Sequence, residues 1–461
     1  MPITIASSRH ALLRSGLFRS VATVFGGMAS SGAIGFITTL VVVRHLRPAD
    51  YGVFAVLDTV VGISGGLLVT GFNWSMIRSV AATRGEPGHG WLIARRVLTV
   101  EVVYALFAGA ALFLAADVIA TRLLHHASLA PYVRLCSIGV LGSILYEYRR
   151  ALFQAFKEWK LDAAFGVAQS TLYLGIVAAL LVAGALRIRP LAVAYIAVPL
   201  LFSVLALVTV RKRLAAVSDA GPGAAAGATQ PASLAGMGSM GGMARSYGWL
   251  LCYTLCLWLV TQVHMLVVTR HSPLAEIGVY GFAYKLYGIS LMLMSAVRVV
   301  LLPTFSELSD RAVLARSFWR AFRATTAISV LWLLSIPFIG LFVGIFAGGR
   351  YAAATPILQV FMVGAATSTM LSPAAMALVA LEEFVALAMG SVVVAALNIA
   401  GHLLITPRYG GVGAAGVQVL THLVLNAYFL LCVYRRIGGS HVAGAADAPA
   451  PHERLLAGGP R

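Results

Sequence analysis

Six charged side chains stand inside long apolar runs of this sequence: Asp58, Glu101, Asp117, Glu147, Lys285 and Arg298. A charge at the bilayer centre costs about 2.5–3.5 kcal/mol or more, so such residues usually face a cavity or a partner. Lys285 and Arg298 offer positive charge and donors to an anion. The carboxylates suit a proton or a sodium ion instead. Asp58 and Lys285 hold almost equivalent places in two similar stretches. Two arrangements are open. They pair across the molecule and close one state, or Lys285 attracts an anion while Asp58 handles a proton or sodium ion. Glu147 lies three residues before Arg150, which is also the spacing of a one-turn helical ion pair.

Weaker polar candidates surround these. His264, Gln262 and Asn73 add polar groups to the same apolar runs. Asn398 and His402 share a helix face by their four-residue spacing, but a lone pair of this kind in a membrane helix more often bonds across helices than binds metal. No metal or other cofactor is expected. Tyr284, Tyr280, Tyr287 and Trp258 cluster and suit either stacking on a sugar ring or packing. The four cysteines all fall in apolar segments and read as small buried hydrophobes. No phosphate-binding loop of the Gly-x-x-x-x-Gly-Lys-Ser/Thr type occurs, and the chain reads as a non-enzyme.

The elements that must hold these residues are membrane helices. Hydrophobic residues make up 60% of the 461 and charged residues 11%, against about 25% charged in soluble domains. The apolar runs are continuous and long enough to span, which favours helices over a barrel. Twelve spans are predicted, at about 20–43, 51–72, 97–119, 132–153, 163–186, 190–210, 247–270, 277–302, 324–346, 356–381, 384–406 and 411–434. The stretch RHLRPADYGVFAVLDTVVGIS at 44–64 aligns with RHSPLAEIGVYGFAYKLYGIS at 270–290 without a gap, an offset of 226 residues. The same offset relates the other spans. Six helices are therefore repeated, and an even number keeps both halves in the same orientation. The expected fold is all-α, with two six-helix bundles related by a parallel pseudo-two-fold axis.

Composition divides the chain further. The expected units are a cytoplasmic segment 1–19, a first bundle 20–210, a flexible cytoplasmic linker 211–246, a second bundle 247–434 and a disordered cytoplasmic tail 435–461. Most of the 34 Lys and Arg residues fall on one side if both termini are cytoplasmic. Basic loops against anionic lipid account for most of the +18 net charge, and nucleic acid is not an expected partner.

Several stretches, in order, resemble the bacterial polysaccharide flippases, the O-antigen and exopolysaccharide exporters of the multidrug/oligosaccharidyl-lipid/polysaccharide superfamily. They are LRPADYGVFAVLDTVVGISGGLLVTGFNWSMIR, YRRALFQAFKEWKLDAAF, LLPTFSELSDR, FAGGRYAAATPILQV and PRYGGVGAAGVQVL. The resemblance covers about 16–436 and implies a MATE-like fold. It implies a transporter in the bacterial cytoplasmic (inner) membrane that flips a polyprenyl-pyrophosphate-linked oligosaccharide for lipopolysaccharide or other surface polysaccharide. A cationic cavity would meet the pyrophosphate, with Lys285 and Arg298 as headgroup contacts and Arg78 and Arg150 nearer the inner mouth. Tyr284 and His264 are further cavity candidates, and Asp58 and Glu147 are candidates for H+ or Na+ coupling. The spans carrying the path would be the first, second, seventh and eighth. Membrane lipids and a polysaccharide polymerase or other pathway proteins are the expected partners. The alternatives are a MATE-type antiporter of small molecules, a peptidoglycan-precursor flippase and a membrane enzyme of the same pathway.

Overall fold

The computed structural model describes residues 16–82, 87–219, 240–306 and 311–437, and within them every regular element is helical. The helices are α1 (Gly16–His45), α2 (Pro48–Ala82), α3 (Pro87–Val118), α4 (Ala130–Ala155), α5 (Trp159–Val182) and α6 (Ile188–Asp219) in the first half. The second half holds α7 (Met240–His271), α8 (Leu274–Ser306), α9 (Arg311–Ser335), α10 (Ile339–Phe346), α11 (Ala354–Ala380) and α12 (Phe384–Ile437).

The expected spans map onto these helices with two adjustments. The ninth span is α9 and α10 together, interrupted at Ile336–Phe338. Pro337 lies in that break and has no N–H to continue the ladder. The eleventh and twelfth spans are the two arms of α12, which meet at Gly410 with φ 55° and ψ −143°. Glycine adopts that backbone freely, whereas other residues do so only at a cost. Glu276 fastens the bend: its Oε1 accepts the Gly411 N–H at 2.9 Å. Helix also reaches into both ends of the expected 211–246 linker, since α6 ends at Asp219 and α7 starts at Met240. The rest of that segment lies outside the described residues.

The protein is a multi-pass membrane protein. Nine helical segments among the described residues are long and apolar enough to cross a bilayer, and the last of them, Phe384–Ile437, carries two spans. Large apolar side chains such as Val182 (89% exposed) and Leu114 (81%) stand on the outer surface, which only hydrocarbon solvates well.

Contacts repeat between the halves. In the first, α2 packs on α4, α1 on α5, α3 on α4 and α4 on α6. In the second, the counterparts do the same: α8 on α11, α7 on α12, α9 on α11 and α11 on α12. The halves meet chiefly through α2 and α8. Gly52 and Gly278 allow that crossing. A Cβ on Gly52 would strike the Leu274 carbonyl oxygen, and one on Gly278 the Pro48 carbonyl oxygen. Missing side chains let two backbones touch, as small residues do in membrane interfaces generally.

Candidate functional site

Where the halves separate follows from the distribution of buried residues. One core runs through both halves and includes Leu46, Tyr51 and Phe54 with Ile277, Phe282 and Tyr351. These lie at the end that holds the α1–α2 and α7–α8 turns. Toward the opposite end the core splits. Met76, Ala94, Tyr148 and Leu152 form a cluster within the first half. Phe305, Phe318, Leu378 and Phe429 form another within the second. The joined end also carries polar contacts between the halves. Arg44 Nη1 donates to the Ile345 carbonyl. Arg270 Nη1 donates to the carbonyls of Arg122 (3.2 Å) and Leu123 (3.3 Å). His126 Nε2–H donates to the Ser272 carbonyl at 3.0 Å.

Asp58 and Lys285 lie about three turns into α2 and α8, below this joined end. Lys285 Nζ is 3.4 Å from Asp58 Oδ2. The Tyr195 hydroxyl donates to the other oxygen, Asp58 Oδ1. The carboxylate thus joins α8 to both α2 and α6. Lys285 and Tyr195 border a cavity of about 190 Å³ whose wall also includes Thr38, Tyr51, Tyr173 and Gln169. A second cavity of about 310 Å³ shares Gln169 and Ser170 with it.

The second cavity is the more polar. It is lined by Arg149 and Arg150 from α4, by Asp162 and Gln169 from α5, and by Ser31 from α1. Arg149 is only 1% exposed. Its Nη1 donates to Gln169 Oε1 at 3.1 Å. Its guanidinium carbon lies 4.7 Å from the centre of the Tyr146 ring and 5.8 Å from that of Phe165, within cation–π range. Among the described residues nothing accepts its Nε–H.

The remaining expected residues divide. Arg150 faces Glu147 at 3.8 Å, the one-turn pair its spacing suggested. The Tyr284 hydroxyl donates to the Thr261 carbonyl at 3.4 Å, and its ring lies 4.2 Å from that of His264. His264 is 1% exposed and its Nδ1 is 2.9 Å from the Tyr280 hydroxyl. Both residues therefore sit in the packed second half, off the walls of the described cavities. Asn398 donates to Gln418 (3.2 Å) and Thr421 (3.0 Å) across the two arms of α12. His402 Nδ1 lies 3.2 Å from the Thr406 hydroxyl. Asp117 pairs with Arg134 at 2.5 Å on the surface. Glu101 is 1% exposed with neither oxygen partnered. Arg78 and Arg298 lie on α2 and α8, with side chains outside the described residues. Among the described residues no group of three or more His, Cys, Asp or Glu is placed to hold a metal.

The two cavities follow the path expected along the first, second, seventh and eighth spans only in part. Both are enclosed by α1, α5 and α8, the first also by α2 and α6 and the second by α4, and among the described residues none of α7 lines either. Sequence reading missed Arg149, Gln169, Asp162 and Tyr195. Arg149 gave one available signal, its place beside Arg150 on the apolar face of a span. Tyr195 gave none, since its partner is 137 positions away.

Comparisons with known proteins follow the same lines. The family model described as "Polysaccharide biosynthesis protein" matches residues 41–356, more than half of the chain. No curated protein sequence matches. Among solved structures, the chain is similar to the lipid II flippase MurJ in an inward closed conformation (TM-score 0.64, 10% identity, 92% of this chain and 93% of that one). It is also similar to an inward-facing multidrug resistance MATE family transporter of the MOP superfamily (TM-score 0.63, 13% identity, 90% and 96%). A third is a mutant form of the MATE transporter VcmN of Vibrio cholerae (TM-score 0.60, 12% identity, 92% and 96%). At these identities the likeness establishes the MATE-like fold.

Proposed function

Because the chain belongs to the polysaccharide biosynthesis protein family, we propose that it moves a polyprenyl-pyrophosphate-linked oligosaccharide across the bacterial inner membrane by alternating access. One observation carries the reading: the Lys285–Asp58 pair bridges the halves between a joined end and a divided one. Breaking that pair, and rocking the halves about it, would exchange the open side. The bias of Lys and Arg favours cytoplasmic termini, so the divided end opens inward. Cargo would enter there from the inner leaflet, with its headgroup in the cavity and its polyprenyl tail left in the bilayer.

The roles of individual residues follow from this proposal. Lys285 is the cation exchanged between Asp58 and the anionic headgroup. Asp58, held by Lys285 and Tyr195, is the carboxylate best placed to couple an H+ or Na+ to that exchange. Glu147 is the weaker candidate, being engaged with Arg150. Arg298 is the second candidate headgroup contact, and Arg78 and Arg150 are the weaker candidates for the inner mouth. A MATE-type antiporter of cationic molecules would need carboxylates that outweigh the cavity cations, whereas Asp58 is answered by Lys285 and Asp162 shares its cavity with Arg149 and Arg150. A peptidoglycan-precursor flippase shares the headgroup chemistry and differs in the lipid carried.

Deleting the gene tests the reading. Lipid-linked oligosaccharide should accumulate in the inner leaflet, and surface polysaccharide such as O-antigen or exopolysaccharide should be lost. Normal surface polysaccharide would overturn it. Accumulation of the peptidoglycan precursor instead would transfer the assignment to that lipid.

A further inference from the structure

The second cavity poses a problem that the Lys285–Asp58 pair does not solve. Arg149 is buried, permanently charged and, among the described residues, not ion-paired to any carboxylate. Its contacts are a neutral amide oxygen and two ring faces, its Nε–H has no acceptor among the described residues, and the carboxylates of Asp162 and Glu147 attract it only from beyond ion-pair distance. A buried charge in such a state is costly unless something else completes it. The stacking on Tyr146 and Phe165 also fixes the plane of the guanidinium, so its donors are aimed before any ligand arrives. Arg150 lines the same cavity, and its ion pair with Glu147 is a loose 3.8 Å. These two cations suit one phosphoryl group, whose oxygens accept from guanidinium forks.

Asp162 complicates a purely anionic ligand. It lines the same cavity and makes no ion pair to either arginine. A bare phosphate would meet its carboxylate unfavourably. A ligand that also carries hydroxyls would use it as an acceptor, as carboxylates accept from O–H donors. Gln169 and Ser31 add further polar groups on the α5 and α1 walls. Small residues let the cavity walls close. A Cβ on Gly27 would lie 2.5 Å from the Ala163 Cβ, and one on Gly32 would lie 2.6 Å from the Met292 sulfur. So α1 lies against α5 and α8 around the cavity.

We propose that the cavity between α1, α4 and α5 is a glycosyl-phosphate site, with Arg149 and Arg150 on the phosphoryl oxygens and Asp162 and Gln169 on sugar hydroxyls. This rests on the transport reading above and deepens it: the first sugar and its phosphate are held among α1, α4 and α5 of the first half, with Met292 of α8 on the wall, beside the Lys285 pair. The ligand chemistry is shared by a soluble sugar phosphate and by a lipid-linked one, and the test separates them.

Binding is measured on the full chain in nanodiscs with four probes: inorganic phosphate, glucose, glucose 1-phosphate, and undecaprenyl-pyrophosphate-linked hexose placed in the disc. Glucose 1-phosphate or the lipid-linked hexose should bind at least roughly tenfold tighter than inorganic phosphate or glucose, about 1.4 kcal/mol. Binding only in the lipid arm assigns the site to the membrane-borne ligand, and binding in both assigns it to the glycosyl phosphate itself. Asp162→Asn should weaken the sugar phosphates relative to inorganic phosphate, which should bind at least as tightly as before. Arg149→Gln should weaken every phosphate probe by a similar tenfold. If Arg149→Gln does not fold, Arg149→Lys keeps the charge without the fork and serves in its place. Equal affinity for phosphate and sugar phosphate, or unchanged binding in these variants, would overturn the site. Vesicle flipping by Arg149→Gln at the wild-type rate would also remove the site and leave the transport reading standing. Intact sugar-phosphate binding with no flipping by the wild type would do the reverse.

Discussion

The ammonium of Lys285 and the carboxylate of Asp58 have side chains 47% and 40% exposed, so their attraction is screened. An exposed pair of this kind contributes about 0–1 kcal/mol to stability. A residue with so small a structural share and so central a place is informative to remove. Lys285→Ala should abolish export of the lipid-linked sugar. The purified variant should keep its melting temperature to within the shift that about 1 kcal/mol produces. Full export by the variant would remove Lys285 from the mechanism. Tyr195→Phe should act more weakly, since Asp58 then keeps its ammonium partner. A transport assay at several pH values, comparing Tyr195→Phe with Asp58→Asn, separates the hydroxyl's contribution from the carboxylate's. If Asp58→Asn leaves the pH dependence of transport unchanged, Asp58 is not the coupling group.

At the scale of elements, α12 depends on one backbone position. Gly410 turns the chain with positive φ, and Glu276 of α8 accepts the next N–H. Gly410→Ala places a side chain in that conformation and drives it into the Glu276 carboxylate. The cost should be on the order of 1–3 kcal/mol, read as a lowered melting temperature. Glu276→Gln keeps an acceptor oxygen and should lose less. An unchanged melting temperature for Gly410→Ala would show that the bend is not strained. The bend was legible as the break between the spans expected at 384–406 and 411–434. Its tie to α8 was not, because Glu276 lies 135 positions away.

For the whole molecule, the two ends behave differently: one core spans both halves, while two separate cores lie toward the other end. A rocking transporter must break the joined end in each cycle. The α2–α8 crossing offers a lock. A Cβ on Gly281 would lie 2.6 Å from the Ala55 Cβ, somewhat closer than the ~3.8 Å of a relaxed disulfide. In a chain with its four native cysteines replaced, Ala55→Cys with Gly281→Cys should oxidise once the two helices spread by about 1 Å. Transport should stop on oxidation and return with reductant. Transport that survives full oxidation would mean that α2 and α8 do not part at this end. The sequence alone determined the membrane class, the twelve spans and their repeat at one offset, because apolar length and periodicity are local properties that a bilayer reads directly. It also singled out Asp58 and Lys285, since a charge in an apolar run is visible without a fold. Only the tertiary structure decided that these two meet, that Tyr195 joins them, that His264 and Tyr284 pack away from the cavities, and that Arg149 rather than its neighbour is the buried cation. Those outcomes depend on which helix faces cross and on where glycine lets backbones touch, and neither is recorded in the residues of one span alone.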